Sequence, residues 1–342
     1  MYILYNFASL TDFIMKHISL ILFALVTLFL YTGCSNDVDI NAEYEQITVV
    51  YGLLDPYDDT TYLKINKAFL GQGNALIMAQ VPDSSEFIEK LDVTIWPEDN
   101  PENIVSFDTI TLTNKEAGTF YNPNQVVYFS PFQPEVDKTY QLRVVYKDTE
   151  ITGETTTFSF SQFDITSPGF ALKIRIDNTT DPRVIIWNRK DEAPRYDVLV
   201  RFHYKELHEG STDTVYRYID WFRDTQKSLI GEEVESYYTG NTFYNALETY
   251  VPYEDPAQEE QVTDRFTGTL EFIVEAGGTE LNTYMEVTEP SNSIIQDRPE
   301  YTNLNNGIGI FSTRARAIKP KKLNDVTVAN IKENYYQLKF RF

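Results

Sequence analysis

The sequence has 342 residues, of which 42% are hydrophobic, so it can fill two globular cores and is not a disordered chain. Its 51 acidic and 29 basic residues give a formal net charge of −22. This charge argues against nucleic-acid binding, because contact with phosphate needs a positive surface. One cysteine excludes an intrachain disulfide, and three histidines leave little material for metal or acid–base chemistry. No cofactor is predicted.

Residues 1–33 have the pattern of a signal peptide, and we place the true start at Met15. A basic residue, Lys16, precedes the almost wholly apolar segment 18–30. That segment is too short for a membrane span, which takes ~20 residues. The pattern therefore predicts export and removal of the leader.

Cys34 follows Tyr31-Thr32-Gly33, and small residues before a cysteine resemble a bacterial lipobox. We therefore predict that Cys34 is acylated and becomes the first mature residue, with residues 34–45 as a polar tether. Two or three acyl chains would hold such a protein on a bilayer essentially permanently. The alternative is an ordinary signal peptide followed by an unmodified thiol.

Period-two alternation of apolar and polar residues dominates residues 46–160. Seven short strands separated by turn residues predict an N-terminal β-sandwich. The predicted strands are 47–54, 62–69, 93–96, 104–112, 126–129, 140–146 and 152–160.

A domain boundary is predicted at 161–169, which contains Pro168-Gly169 and few apolar residues. Residues 170–342 are predicted to form a second β-sandwich, because Trp187, the Pro194 turn and Tyr196 follow one another as in a fibronectin type III domain. The fold class is thus all-β, with two immunoglobulin- or fibronectin III-like sandwiches and short helical insertions in the second. Its predicted strands are 172–176, 184–187, 196–204, 214–221, 265–274, 281–287 and 336–342, and its predicted helices are 241–250 and 326–332.

Charge is unevenly distributed in the second half. The acidic insertion, residues 228–264, holds nine acids and no base, whereas residues 314–342 hold eight bases and two acids. Either the basic tail folds back on the acidic insertion, or one of the two faces meets a partner, or both are solvated surface.

No nucleophile–histidine arrangement, zinc motif or phosphate loop is present in the sequence. The pair Gly307 and Gly309 is more typical of a β-bulge or a strand crossing than of a phosphate site. The most site-like residues are Asp220 beside Trp221, since an indole wall can raise the pKa of an acid. Trp187 is the other candidate for a binding face. The sequence therefore predicts a protein that is not an enzyme.

Two segments carry a family resemblance. The segments are VVYGLLDPYDDTTYLKINKAFLG (49–71) and NGIGIFSTR (306–314). They resemble recurring segments of an uncharacterised family of Bacteroidetes lipoproteins, which share a domain of unknown function. Some of those lipoproteins accompany TonB-dependent outer-membrane receptors. The resemblance implies an envelope location and service to a transporter or at the cell surface, and it brings no catalytic residue with it.

Three functions remain open. The first is a non-enzymatic outer-membrane lipoprotein that acts as a binding or accessory module of an envelope assembly or transporter. The second is a glycan-binding or carbohydrate-active protein, suggested by the tryptophans and 24 tyrosines. The third is a structural surface or adhesin subunit. The predicted partners are the membrane through the lipid anchor and an outer-membrane protein; nucleic acid is excluded, and a small-molecule ligand is not identified.

Overall fold

The computed structural model describes residues 46–69, 75–252, 261–289 and 300–341. Strands make up 50% of the structure and helices 16%, which confirms the prediction of a mostly β protein. The strands are β1 (Gln46–Leu54), β2 (Thr61–Phe69), β3 (Asp92–Pro97), β4 (Val105–Ser106), β5 (Asp108–Leu112), β6 (Gln125–Ser130), β7 (Thr139–Tyr146), β8 (Thr149–Thr156), β9 (Ile165–Ser167), β10 (Lys173–Ile174), β11 (Pro182–Asn188), β12 (Arg195–His208), β13 (Thr214–Lys227), β14 (Glu233–Thr239), β15 (Val262–Gly277), β16 (Leu304–Asn305), β17 (Ile308–Leu323) and β18 (Phe340–Arg341). The helices are α1 (Ala75–Ala79), α2 (Pro82–Ser85), α3 (Gly240–Tyr250), α4 (Thr279–Thr288) and α5 (Asp325–Asn334), followed by a 3-10 turn at Tyr336–Leu338.

The long strands follow from the alternation of apolar and polar side chains. In β12, Tyr196, Val198, Val200 and Phe202 are buried, whereas the residues between them are partly exposed. Because successive side chains point to opposite faces of a strand, one face of β12 covers a core and the other is partly open to solvent.

The described strands form three sheets. The largest has ten strands in the order β13-β12-β15-β17-β1-β2-β6-β5, with β10 paired to β17 and β18 paired to β15. A five-stranded sheet has the order β16-β8-β7-β3-β4, and a three-stranded sheet the order β14-β11-β9. Pairing is antiparallel except for β1–β17, β10–β17 and β15–β18.

Two hydrophobic cores are buried against these sheets. The first draws on β1, β2 and β6 of the ten-stranded sheet and on β3, β7, β8 and β16 of the five-stranded sheet. The second draws on β12, β13, β15 and β17, on β9, β11 and β14 of the three-stranded sheet, and on helices α3 and α5. Each core is therefore covered by parts of two sheets.

Strand β17 belongs to both cores. Its first residues pair with β1 in parallel, and residues from Arg314 onward pair with β15 in antiparallel register. Phe311 lies in the first core, whereas Ala315 and Ala317 lie in the second. Phe311 and Leu304 fall within residues 170–342, the predicted second sandwich, but both are buried in the first core. A 16-residue strand is long enough to serve two cores, and its apolar pattern does not reveal where one ends.

The segment predicted as a domain boundary is held against β17 by two buried lysines. Nζ of Lys319 donates to the main-chain oxygen of Ile165, and Nζ of Lys321 donates to the oxygens of Gly169 and Ala171, the latter at 2.8 Å. Burial lowers the pKa of both lysines, because it removes water from the charged form. The boundary itself stays a prediction.

Helices α3 and α5 confirm the predicted helices, but two predicted strands are wrong. Residues 281–287 lie in helix α4; seven residues with Leu281 and Val287 at the ends fit either period, and Gly278 at the N-cap starts a helix. Residues 336–342 were predicted as an edge strand, yet Tyr336–Leu338 form a 3-10 turn and Lys339 is left-handed, which leaves the two-residue strand β18. No helix among the described residues is long and apolar enough to cross a membrane.

Candidate functional site

A concave pocket of about 300 Å³ lies where β1, helix α4 and the beginning of β17 meet. Its volume is at the low end of the range of small-molecule sites, roughly 300–1,000 Å³. We call it the tyrosine pocket and define it by Tyr51, Tyr284, Tyr301 and Glu300, which line it. It adjoins the region where β17 passes from the first core to the second.

Gly309 allows β1 and β17 to approach each other beneath the pocket. It pairs with Val50 in parallel register and has a φ of +107°, a backbone conformation that residues other than glycine rarely adopt. A Cβ atom at this position would lie 2.1 Å from the main-chain oxygen of Val50. The glycine pair noted in the sequence is thus a close strand contact and not a phosphate loop.

Helix α4 brings Tyr284 to the pocket. The amide of Gly278, the N-cap, donates to the carbonyl of Thr313 at 2.9 Å. The hydroxyl of Ser312 accepts from the amide of Leu281 at 3.2 Å and donates to the carboxylate of Glu280 at 3.1 Å. These bonds fix the first turn of α4 on β17.

Two phenol rings line the pocket at a steep angle to each other. The ring centroids of Tyr51 and Tyr284 are 6.0 Å apart with an interplanar angle of 72°, and the hydroxyl of Tyr284 donates to that of Tyr51 at 3.3 Å. Burial, with the bond to Tyr284, raises the pKa of Tyr51 to about 12. Burial, with the charge of Glu280, raises the pKa of Tyr301. All three residues offer ring faces and hydroxyl groups, which suit binding rather than nucleophilic attack.

The two tryptophans named as candidate binding residues lie in the second core. Trp187 is 0% exposed and packs on Tyr196, with the ring centroids 5.4 Å apart. Trp221 is 7% exposed and packs on Tyr238 and Phe243, each at 5.4 Å. Neither indole offers a face to a sugar in solvent. Trp96, on β3, is half-buried.

Asp220 and Trp221 do not form a common site, because neighbouring residues of a strand point to opposite faces. The carboxylate of Asp220 accepts from both Nε and an amino group of Arg201, at 2.7 and 3.1 Å, and from an amino group of Arg223 at 2.7 Å. The acid is therefore held between two guanidinium groups, away from an apolar wall.

The histidines do not converge either. Nε2 of His203 is 2.9 Å from a carboxylate oxygen of Glu271, whereas His208 lies near Glu206 at 3.8 Å. In the described part of the chain, no group of three or more His, Cys, Asp or Glu residues could hold a metal ion.

The basic tail meets the end of the acidic insertion. Arg341 forms an ion pair with Asp264, and Nζ of Lys339 donates to the main-chain oxygen of Val262 at 2.7 Å. The basic tail therefore folds back on the end of the acidic insertion, at residues 262–264, which is one of the three alternatives given for this charge asymmetry. Four of the nine acids of the insertion fall in 253–260, which lies outside the described residues, as do Cys34 and the tether 34–45.

The sequence offered no signal that places these three tyrosines in one pocket. Tyr51 and Tyr284 are 233 positions apart, and Tyr284 was predicted on a strand. The only indication was the high tyrosine content of the chain, which does not single out these three residues.

No protein-family model matches the sequence. No curated protein matches it either.

Proposed function

We propose that this chain is a non-enzymatic lipoprotein of the outer membrane that acts as a binding or accessory module of a cell-envelope assembly or transporter. The observation that carries the binding role is the tyrosine pocket, a concave site with three phenols and one exposed carboxylate. The envelope location rests on the leader and on Cys34, together with the resemblance to lipoproteins of Bacteroidetes.

In this proposal the two cores are two sandwiches of the immunoglobulin or fibronectin III type. Each core is enclosed by parts of two sheets, as in a sandwich, and the second core holds a buried Trp187 packed on Tyr196. Strand β17 would then be shared by the two sandwiches, so they would move as one body. A pocket at their junction would be preformed, which lowers the entropic cost of binding a ligand.

The anchor is tested by replacing Cys34 with serine and following the protein through membrane fractionation. We expect the wild-type chain in the detergent-extracted membrane fraction and C34S in the soluble fraction, because acyl chains stabilise membrane attachment by ~0.8 kcal/mol for each buried methylene. Ser35→Ala, next to the cysteine, is the matched control and should stay with the membrane. Membrane retention of C34S equal to that of wild type contradicts the anchor.

The accessory role is tested by purifying the anchored protein from native membranes. The proposal expects one outer-membrane or surface protein in constant ratio with the chain. Recovery of a lone monomer under several mild detergents contradicts the accessory role and leaves only ligand binding.

Glycan binding is the second candidate, and the tyrosine pocket favours it, since phenol rings and hydroxyls also suit sugars. The burial of Trp187 and Trp221 removes two of the three tryptophans that suggested it, and Trp96 is half-buried. A structural or adhesin role is the third candidate: β13 is the last strand of the ten-stranded sheet, and Tyr216 and Tyr218 on it are 71% and 57% exposed. Such an edge can accept a strand from another chain.

A further inference from the structure

The lining of the tyrosine pocket combines aromatic rings with a carboxylate. Three of its lining residues are tyrosines, and Glu300 is the charged one. None of the described lining residues is a lysine or an arginine. By strand register Lys64 lies opposite Tyr51 on β2, but it is not part of the lining.

The arrangement of the rings suits a cation better than a flat neutral ligand. With 72° between their planes, the rings of Tyr51 and Tyr284 form two walls of a corner and not a flat platform. The face of an aromatic ring carries negative potential and attracts a cation within ~6 Å of the ring centroid. A tetrahedral ammonium group can contact both rings of a corner, whereas a sugar ring stacks on one flat face.

The charged residue of the lining and the charge that acts on Tyr301 are both acidic. Glu300 is exposed at its rim, and Glu280, on the first turn of α4, acts on Tyr301. The chain as a whole has a net charge of −22, so its field attracts cations and repels anions.

We infer that the tyrosine pocket binds a small organic cation of the alkylammonium class, held by the ring faces of Tyr51 and Tyr284 and by the carboxylate of Glu300. This inference rests on the proposed binding function and names the ligand class of that site. The same ammonium chemistry occurs in free small molecules and in lipid headgroups.

The first experiment is calorimetric titration of the purified, anchored protein with choline and with dimethylbutanol, the neutral carbon isostere of choline. We expect choline to bind roughly tenfold more tightly, because the two differ chiefly in charge. Equal affinity for the two compounds overturns the inference.

Variants of one ring then separate cation binding from other modes. Tyr284→Leu removes a ring face and should weaken choline binding roughly fivefold or more, whereas Tyr284→Phe keeps the face and should change it less than roughly twofold. Glu300→Gln should weaken it roughly threefold. Tyr250→Leu is the matched control, since Tyr250 is a 62% exposed tyrosine on another helix. A loss in Y284F as large as in Y284L indicates hydrogen bonding by the hydroxyl and overturns the cation site.

A last comparison tells a lipid headgroup from a free small molecule as the source of the ligand. It also separates failure of the cation inference from failure of the proposed binding function. Binding of the acyl-free C34S chain to phosphatidylcholine but not to phosphatidylglycerol vesicles, lost in Y284L, supports the ammonium site with lipid as its source. Binding of a saccharide sensitive to Y284L, with no binding of choline, overturns the cation inference and leaves the binding function standing. If no such probe binds and no partner co-purifies, the proposed function fails as well.

Discussion

The ion pair between Arg265 and Glu206 allows a quantitative prediction about stability. Arg265 is 1% exposed and Glu206 3%. Nε of Arg265 donates to Oε1 of Glu206 at 2.9 Å, and its two amino groups donate to the main-chain oxygens of Leu338 and Pro252 at 2.9 and 3.0 Å. One guanidinium thereby ties the sheet to the residues after α3 and to the C-terminal turn.

Arg265→Met should lower the free energy of unfolding by ~3–5 kcal/mol, because it leaves two main-chain carbonyls without this donor and removes the buried partner of a buried carboxylate. Arg217 still donates to Oε2 of Glu206 at 3.0 Å, so we expect the lower end of this range. Arg217→Met is the matched control. It breaks a contact with the same carboxylate, but the side chain of Arg217 is 52% exposed and the loss should be ~1 kcal/mol or less.

The assay is equilibrium unfolding in urea of the acyl-free C34S chain, followed by the fluorescence of Trp187 and Trp221 in the second core. Combining Glu206→Leu with Arg265→Met should recover part of the loss, because no buried charge then remains unpaired. If R265M costs no more than R217M, the argument from burial is refuted.

Two further predictions concern the stability of the fold, the first at Gly309 beneath the tyrosine pocket and the second at alkaline pH. Gly309→Ala should destabilise the protein by more than ~3 kcal/mol, because the added Cβ would clash with the main-chain oxygen of Val50 and the backbone has a positive φ. Gly169→Ala is the control and should be nearly neutral, because a Cβ there would meet nothing within 4 Å. Thermal unfolding of both variants checks this. Burial raises the pKa of Tyr238 to about 12, so the stability it contributes is complete below pH ~10, the pKa of an unfolded tyrosine, and is lost as pH rises through 12. Tyr238→Phe should therefore lose less stability than wild type above pH ~10, by up to ~3 kcal/mol in urea unfolding; an unchanged pH dependence contradicts this.

The alternation of apolar and polar residues was enough to predict single long strands from the sequence. It was not enough for short segments whose apolar spacing fits both a helix and a strand. Tyr196, Val198, Val200 and Phe202 are buried on one face of β12, as their spacing predicts. Residues 281–287 fit both periods, and the contacts of Gly278 and Ser312 with the neighbouring strand decide for a helix. Local propensity differs by too little free energy to make that choice without tertiary contacts.

Composition and the order of neighbouring residues were enough to predict a mostly β protein and to fix its strong negative charge. The leader pattern that ends at Cys34 is read from the same local features and stays a prediction. Only the tertiary structure decided that Trp187 and Trp221 are core residues, that Asp220 lies between two arginines, and that one strand serves two cores. It alone brought Tyr51 and Tyr284 together, since strand pairing and helix docking act between residues far apart in the chain.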